Sequence, residues 1–106
     1  MFKPNSNRFI IKGIALELPE NLKLFCWRVI DGLVAKGDVE LDYFQIFEFK
    51  KDEARKKLIV THRQEEPKYQ RKYELILLEE YRNCSIEKVW IIDDGVTQTM
   101  LLPNEY

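Results

Sequence analysis

The spacing of apolar residues predicts one long helix in the first third of the chain. Between residues 19 and 36, apolar side chains recur at steps of three and four, which places them along one side of a helix. They are Leu22, Phe25, Cys26, Val29, Ile30 and Leu33. Pro19 suits the first turn, where a missing amide hydrogen costs little, and Gly37 is expected to end the helix in a left-handed cap. Gly32 weakens this helix by about 1 kcal/mol relative to Ala, which close packing against a sheet would explain.

Three of the other apolar segments predict strands. Residues 8–16, RFIIKGIAL, predict a first strand in which Gly13 forms a bulge. Residues 41–49, LDYFQIFEF, are rich in aromatic side chains, and residues 57–63, KLIVTHR, are rich in β-branched ones. The polar segment between them has the length of a hairpin connection, so these two strands are expected to pair.

The chain after Pro67 leaves one choice open and then predicts a second hairpin. Residues 72–78, KYELILL, fit a further strand, but a helix over 68–82 fits the adjacent apolar residues equally. Residues 89–93 and 97–102 flank an Asp-Gly pair, and Asp-Gly between two such apolar runs is a strong hairpin signal.

These elements follow one another in the order β-α-β-β-β-β-β. The helix must bury its apolar side, and the sheet is the only large partner available to it. We therefore predict an α+β fold, with one long amphipathic helix on a curved antiparallel sheet of about five or six strands. Phe25, Val29 and Leu33 are expected in the core, and residues 1–106 are expected to form a single domain.

The length and the cysteine count narrow the class of protein. A chain of 106 residues can bury a core without disulfides or metals. Its apolar runs are too short to span a bilayer, and its N-terminus lacks the apolar core of a secretory signal, so we expect a cytoplasmic location. Cys26 and Cys84 are then expected as free thiols. Cys26 belongs to the apolar side of the helix, whereas Cys84 lies in a polar segment and is expected to be more accessible.

The net charge of −1 conceals separate basic and acidic segments. Residues 50–57 carry a charge of +3, whereas residues 16–49 and 79–106 each carry −4. Basic side chains attract phosphates, and aromatic faces can stack on bases. The candidate contacts to a partner or nucleic acid are Lys50, Lys51, Arg55, Lys56, Lys57, Lys68, Tyr69, Arg71, Lys72 and Tyr73. The commoner explanation is a solvated hairpin tip, followed by an edge strand whose charges prevent aggregation.

Asp93 and Asp94 are the residues that most resemble a metal or acid site. Adjacent side chains on a strand point to opposite faces, so the two carboxylates cannot easily bind one ion there. Calcium loops use longer runs of spaced oxygen ligands. Asp followed by Gly is typical of a turn, because the carboxylate accepts nearby backbone N–H groups and Gly adopts positive φ. We therefore expect a structural turn and no bound metal.

No complete catalytic or cofactor motif is present in the sequence. His62 is the only histidine, and nucleophilic catalysis would need a partner such as Cys84 beside it. Two cysteines and one histidine at wide spacing match no zinc pattern, and no phosphate-binding glycine loop occurs. We expect a protein that is not an enzyme and that takes no cofactor.

Strand 41–49 carries apolar side chains on both of its faces. Phe44, Ile46, Phe47 and Phe49 alternate across it. One face belongs to the core under the helix, and the other needs a loop, a second copy of the chain or a ligand to cover it. This pattern indicates an interaction surface.

Several segments together resemble a known family of small proteins. They are IALELPENLKLFCWRVID, LDYFQIFEF, EEPKYQRKYE, VWIIDDG and TMLLPNEY, and they extend over nearly the whole chain. The sequence is similar to the family called domain of unknown function 960, found in Gram-positive bacteria and their mobile elements and phages. The family has no assigned activity, and the resemblance identifies no functional residue. It also implies a relation to small mobile-element proteins that inhibit type II CRISPR nucleases.

Two functional hypotheses follow. In the first, the protein binds and occupies a host protein or nucleoprotein surface, as an anti-CRISPR inhibitor would. In the second, it binds nucleic acid weakly through the basic hairpin 50–57 and Tyr69 and Tyr73. Neither involves a membrane, and a homodimer is compatible with both.

Overall fold

Six strands form one mixed sheet in a computed structural model, which describes residues 2–3 and 7–106. The strands are β1 Asn7–Ile10, β2 Phe44–Asp52, β3 Lys57–Gln64, β4 Tyr69–Ile76, β5 Lys88–Asp93 and β6 Thr97–Leu101. Their order across the sheet is β1-β6-β5-β2-β3-β4, so β1 and β4 are the two edges. The α+β class is confirmed, but the sheet is mixed because β1 runs parallel to β6.

One long helix and three short helical segments accompany the sheet. They are α1 Lys12–Glu17, α2 Glu20–Lys36, α3 Glu79–Arg82 and a 3-10 turn at Pro103–Glu105. The helix predicted at 19–36 is confirmed as α2. It ends at Gly37, which has a φ of 71° and donates its N–H to the Leu33 carbonyl. No helix among the described residues is long and apolar enough to cross a membrane.

The core lies between α2 and one face of the sheet. Leu22, Cys26 and Ile30 are at most 2% exposed and pack with apolar side chains of the central strands. These include Phe47, Phe49, Leu58, Val60, Val89, Ile91 and Met100. Leu33 is buried as predicted, whereas Phe25 and Val29 are only half-buried at the margin of the core.

The predicted first strand over residues 8–16 is wrong in its second half. β1 ends at Ile10 and α1 begins at Lys12, because Ile14 turns into the core and is fully buried there. Gly13 lies in this short helix and not in a bulge. Its N–H donates to Glu105 Oε2 at 3.0 Å, which ties α1 to the end of the chain.

The predicted element order and the fully antiparallel sheet are also corrected. The observed order along the chain is β-α-α-β-β-β-α-β-β. β1 pairs with β6, the last strand along the chain, with Asn7 opposite Thr97 and Ile10 opposite Met100. A pairing between strands so far apart in sequence leaves no local signal in the residues of either strand.

Both predicted hairpins are confirmed, as is the strand after Pro67. β2 pairs with β3 and β5 with β6, both antiparallel. β4 is antiparallel to β3, so the competing helix over 68–82 is wrong except for α3 at its end. The strand ends at Ile76, and Leu77 is buried while its two neighbours are exposed.

A candidate binding groove beside the edge strand

β4 has one side along which its backbone groups have no partner strand. Residues of an antiparallel pair alternately bond the neighbouring strand and point away from it. The N–H of Leu77 donates to the Lys56 carbonyl at 3.0 Å. Given the register of β3 and β4, every second residue back from Leu77 therefore bonds β3, and the residues between them point away from it. The residues whose N–H and C=O groups point away from the sheet are therefore Gln70, Lys72, Glu74 and Ile76. No strand of the described ranges 2–3 and 7–106 pairs with this side.

A groove separates this free edge from helix α2. It consists of two adjoining cavities, of about 520 and 380 Å³, that share Phe25 and Arg28. We call the two cavities together the edge groove. The other residues that line it include Leu24, Val29, Gly32, Leu33 and Lys36 from α2, and Arg71, Tyr73, Glu74, Leu75 and Ile76 from β4.

The floor of the edge groove is aromatic, and its rim is aliphatic. The rings of Phe25 and Tyr73 meet edge to face, with centroids 5.3 Å apart. On the rim, Leu24, Ile76 and Leu78 are 42, 68 and 40% exposed. Grouped apolar side chains that stay in contact with water mark a surface suited to a partner.

Two arginines of the groove have no acidic partner. Among the described residues, no carboxylate oxygen lies within 4.0 Å of Arg28 or Arg71. The guanidinium of Arg71 instead lies over the Tyr73 ring, 5.0 Å from its centroid. The carboxylate of Glu74 also lines the groove, but it is paired with Arg55. The groove therefore presents positive charge that nothing in the described chain neutralises.

Tyr73, in the floor of the groove, keeps its proton. Partial burial raises the pKa of the Tyr73 hydroxyl above its ordinary value, and this outweighs the opposing effect of Arg71. A neutral phenol both donates and accepts hydrogen bonds. Tyr73 therefore adds a polar group to an otherwise apolar floor.

The structure divides the predicted contact residues between two ends of β4. The basic hairpin lies beside Ile76, which is opposite Lys57, whereas Tyr69 is opposite Gln64. About seven residues of strand, or roughly 23 Å, separate these positions. Arg71 and Tyr73 line the edge groove, and Lys68 and Tyr69 line a separate hollow of about 440 Å³. The ten residues therefore do not form one surface.

Several hairpin cations already have contacts within the chain. Arg55 pairs with Glu74 and with Asp52. The ammonium of Lys51 donates to the Arg82 carbonyl at 2.6 Å. Lys56 occupies the turn with a φ of 54°. These contacts favour a structural role for much of the hairpin tip.

Asp93 ends β5 and Asp94 begins the turn to β6, so the predicted turn is confirmed. Asp94 Oδ1 accepts the N–H groups of Thr97 and Val96 at 2.8 and 2.9 Å, and these bonds lower the pKa of Asp94. Asp93 accepts the N–H groups of Gly95 and Phe2, and Gly95 has a φ of 94°. The part of the chain that the structure describes contains no group of three or more potential metal ligands.

His62 and Cys84 do not form a catalytic pair. His62 is fully buried, its ring stacks on Phe47, and its Nε2 lies 2.6 Å from Gln45 Oε1. The Cys84 thiol donates instead to the Glu17 carbonyl at 3.6 Å. Cys84 is 8% exposed and Cys26 is fully buried, so Cys84 is the more accessible of the two thiols, as predicted, although both are buried.

The sheet face opposite α2 is partly covered by the end of the chain. Phe44 packs on Trp90 with ring centroids 4.9 Å apart, and Tyr106 meets Trp90 edge to face at 5.8 Å. Ile46, on the same face, is 3% exposed. The predicted need for a cover is therefore met in part by the chain itself.

Leu24 and Arg28 were not predicted as binding residues. Each lies outside the apolar stripe of α2, and they are four positions apart on one side of the helix. A leucine outside the apolar stripe, one helical turn from a basic residue, does not by itself indicate a binding site. The pair indicates one only once β4 is known to be the edge strand that lies beside this side of α2.

Comparison with known proteins supports the fold without naming an activity. The model of a family described as "Staphylococcal protein of unknown function (DUF960)" matches residues 7–105. A crystal structure described as that of "the protein of unknown function from Enterococcus faecalis" is similar, with a TM-score of 0.81 and 26% sequence identity. The likeness covers 99% of this chain and 94% of that chain. No curated protein matches the sequence.

Proposed function

We propose that this chain, which belongs to the DUF960 family, works by binding a protein partner in the edge groove, without turning over a substrate. The observation that carries the proposal is the free side of β4 beside two arginines, Arg28 and Arg71, that have no acidic partner among the described residues. Free backbone groups, apolar surface and unpaired charge lie together here.

The residue types of the groove suit a protein interface. Binding energy at such interfaces is concentrated in a few residues, among which tyrosine and arginine are enriched. Tyr73 and Arg71 line one of the two cavities of the groove, and Leu24 and Leu78 supply an exposed apolar rim to the other. Charged residues at an interface orient the partner and speed its association.

Contacts of the two tyrosines favour a protein partner over a nucleic acid. Stacking of bases needs open aromatic faces, but the Tyr73 ring contacts Phe25 and has Arg71 over it, and the Tyr69 ring contacts His62. Inhibition of a type II CRISPR nuclease stays a prediction that rests on the family resemblance. A nuclease of that kind would be one protein partner among others for the groove.

Site-specific photocrosslinking would test where the partner binds. A photoreactive phenylalanine analogue would replace Leu24 in the groove or, as the control, Leu16 in α1, which is 73% exposed and not a lining residue. In a staphylococcal lysate, a discrete crosslinked product is expected from position 24 and not from position 16. Equal products from both positions, or none from position 24, would contradict the proposal.

Charge reversal provides an independent test with a matched control. Arg28→Glu combined with Arg71→Glu should abolish capture of the partner, because both substitutions place negative charge in the groove. Lys12→Glu, at an exposed position at the start of α1, should leave capture unchanged. Equal capture by the two variants, each shown to be folded by circular dichroism, would rule out the edge groove.

A further inference from the structure

We infer that the segment bound in the edge groove is an extended acidic peptide that pairs with β4 as a seventh strand of the sheet. This inference rests on the proposed function of the groove and specifies the chemistry of its occupant. In strand addition, backbone hydrogen bonds supply affinity, and alternate side chains supply specificity.

The free edge sets the length of the occupant. Gln70, Lys72, Glu74 and Ile76 direct their N–H and C=O groups outward at every second position, as the register with β3 requires. They span about 20 Å, which matches a partner strand of roughly seven residues. Every second side chain of that strand would point into the edge groove, and the rest would lie on the opposite face beside Lys72.

The charges around the edge select acidic side chains. On the groove side, carboxylates of the added strand would reach Arg28 and Arg71, which no carboxylate of the described residues approaches within 4.0 Å. On the opposite face they would meet Lys72. The carboxylate of Glu74 is already occupied by Arg55, so it adds little repulsion.

A second copy of this chain is the poorer occupant. If β4 of one molecule paired antiparallel with β4 of another over the whole of residues 70–76, Lys72 of each strand would lie opposite Glu74 of the other, and Glu74 already pairs with Arg55. Arg71 would lie opposite Leu75, so the pairing would bring no carboxylate opposite Arg71. An acidic strand supplies that carboxylate and is the better complement.

Gly32 leaves room for the added strand beside the helix. It lies in the groove wall, and outside its own helical turns no described atom lies within 4 Å of a Cβ added there. Glycine destabilises a helix relative to alanine, and no packing contact among the described residues explains it. The open space beside it would admit a side chain of the added strand.

Four synthetic peptides would test the inference on the unaltered protein. The first alternates glutamate and valine over about seven residues, matched to the free edge, and carries a fluorophore for anisotropy. The second has lysine in place of every glutamate. The third and fourth keep the acidic sequence but have methyl groups on one or the other set of alternate backbone nitrogens, so each lacks the N–H groups along one edge.

The first peptide and one of the two methylated peptides should bind well. N-methylation along the edge that faces β4 should weaken binding by about tenfold or more, because each lost backbone hydrogen bond contributes of the order of 1 kcal/mol. The methyl groups are therefore tried on both alternate sets of nitrogens, and one set should be harmless. The lysine peptide should not bind, and binding of the glutamate peptide should weaken with salt.

Gln70→Pro is the matching change in the protein. The N–H of Gln70 points away from β3, so the substitution spares the β3–β4 ladder and removes no charge, and proline is tolerated on the outer side of an edge strand. It should weaken binding of the glutamate peptide about tenfold. If this variant fails to fold, the methylated peptides still decide the question on the unaltered protein.

The outcomes separate this inference from the proposed function. If both methylated peptides bind as well as the parent, or if the lysine peptide binds equally, strand addition by an acidic segment is wrong. The edge groove would then remain the docking site only if position 24 still crosslinks and the Arg28→Glu, Arg71→Glu variant still loses its partner. If those two results also fail, the proposed function itself is wrong.

Discussion

His62 donates a hydrogen bond from Nε2 to Gln45 Oε1, 2.6 Å away, inside the core of the sheet. The direction of this bond is set by Gln45, whose amide nitrogen already donates to the Asp42 carbonyl and to Gln64 Oε1. Since Nε2 carries the hydrogen, Nδ1 is the bare nitrogen of a neutral ring, and it is buried with no partner among the described residues. Protonation would therefore place an unpaired charge in the core.

Stability should consequently fall as the pH falls from about 6.5 to about 4. Burial lowers the pKa of His62 from 6.5 to about 4, so in this window the unfolded chain binds a proton that the folded chain excludes. The free energy of unfolding is then highest above pH 6.5, and the loss approaches about 3 kcal/mol at pH 4, at 1.36 kcal/mol for each unit of pKa.

The variant His62→Gln isolates this effect from the titration of carboxylates. Glutamine can still donate to Gln45 but does not titrate. Urea unfolding at several pH values should give a smaller loss of stability for the variant than for the unaltered protein between pH 6.5 and 4. Parallel pH profiles for the two proteins would show that His62 is not the group responsible.

Substitutions on the buried side of α2 should destabilise the protein far more than substitutions on the side that lines the edge groove. Ile30 is fully buried and Leu24 is 42% exposed. Ile30→Ala should lower the free energy of unfolding by about 2 to 5 kcal/mol, because it removes buried methyl groups and leaves a cavity. Leu24→Ala should cost under about 0.5 kcal/mol. Denaturant titration of both variants checks this, and similar losses would mean that the orientation of the helix is wrong.

The β5–β6 turn should depend more on Gly95 than on the charge of Asp94. Gly95 has a φ of 94°, and a Cβ added there would meet no atom within 4 Å, so Gly95→Val suffers from backbone strain of about 1 to 3 kcal/mol and not from a clash. Asp94→Asn keeps an oxygen that can accept the bonds from Val96 and Thr97. In thermal unfolding, the melting temperature of Gly95→Val should be well below that of Asp94→Asn. The reverse order would contradict the turn assignment.

Local features of the fold were predictable from the sequence, and long-range ones were not. The apolar stripe of α2, its end at Gly37 and the Asp-Gly hairpin each depend on neighbouring residues, and each is observed. The pairing of β1 with β6 depends on residues some 90 positions apart. The short helix α1 was not predicted because the apolar residues of RFIIKGIAL are typical of a strand. Only the tertiary structure, in which Ile14 is buried in the core, shows that the strand ends before it.

Only part of the candidate site was predictable, because the rest depends on which elements lie side by side in the fold. Arg71 and Tyr73 were identified from composition, as part of a set that the structure divides. Leu24 and Arg28 required the knowledge that β4 is an edge and that α2 lies beside it. The buried network around Gln45 and His62 was also missed, although glutamine and histidine at core-facing positions of two apolar strands are its signature.

Gly32 links the stability of the protein to the use of the edge groove. Gly32→Ala should raise the free energy of unfolding by about 1 kcal/mol, since alanine favours the helix and no described atom outside its own helical turns lies within 4 Å of the added methyl group. Gly32→Leu should retain most of that gain but project into the groove. It should therefore weaken binding of the glutamate peptide, whereas Ala35→Leu, at an exposed position outside the groove lining, should not. Unfolding curves and peptide anisotropy on the three variants measure both effects. A destabilised Gly32→Ala variant would mean that the glycine has a packing role, and unchanged binding by Gly32→Leu would mean that the peptide does not pass over this position.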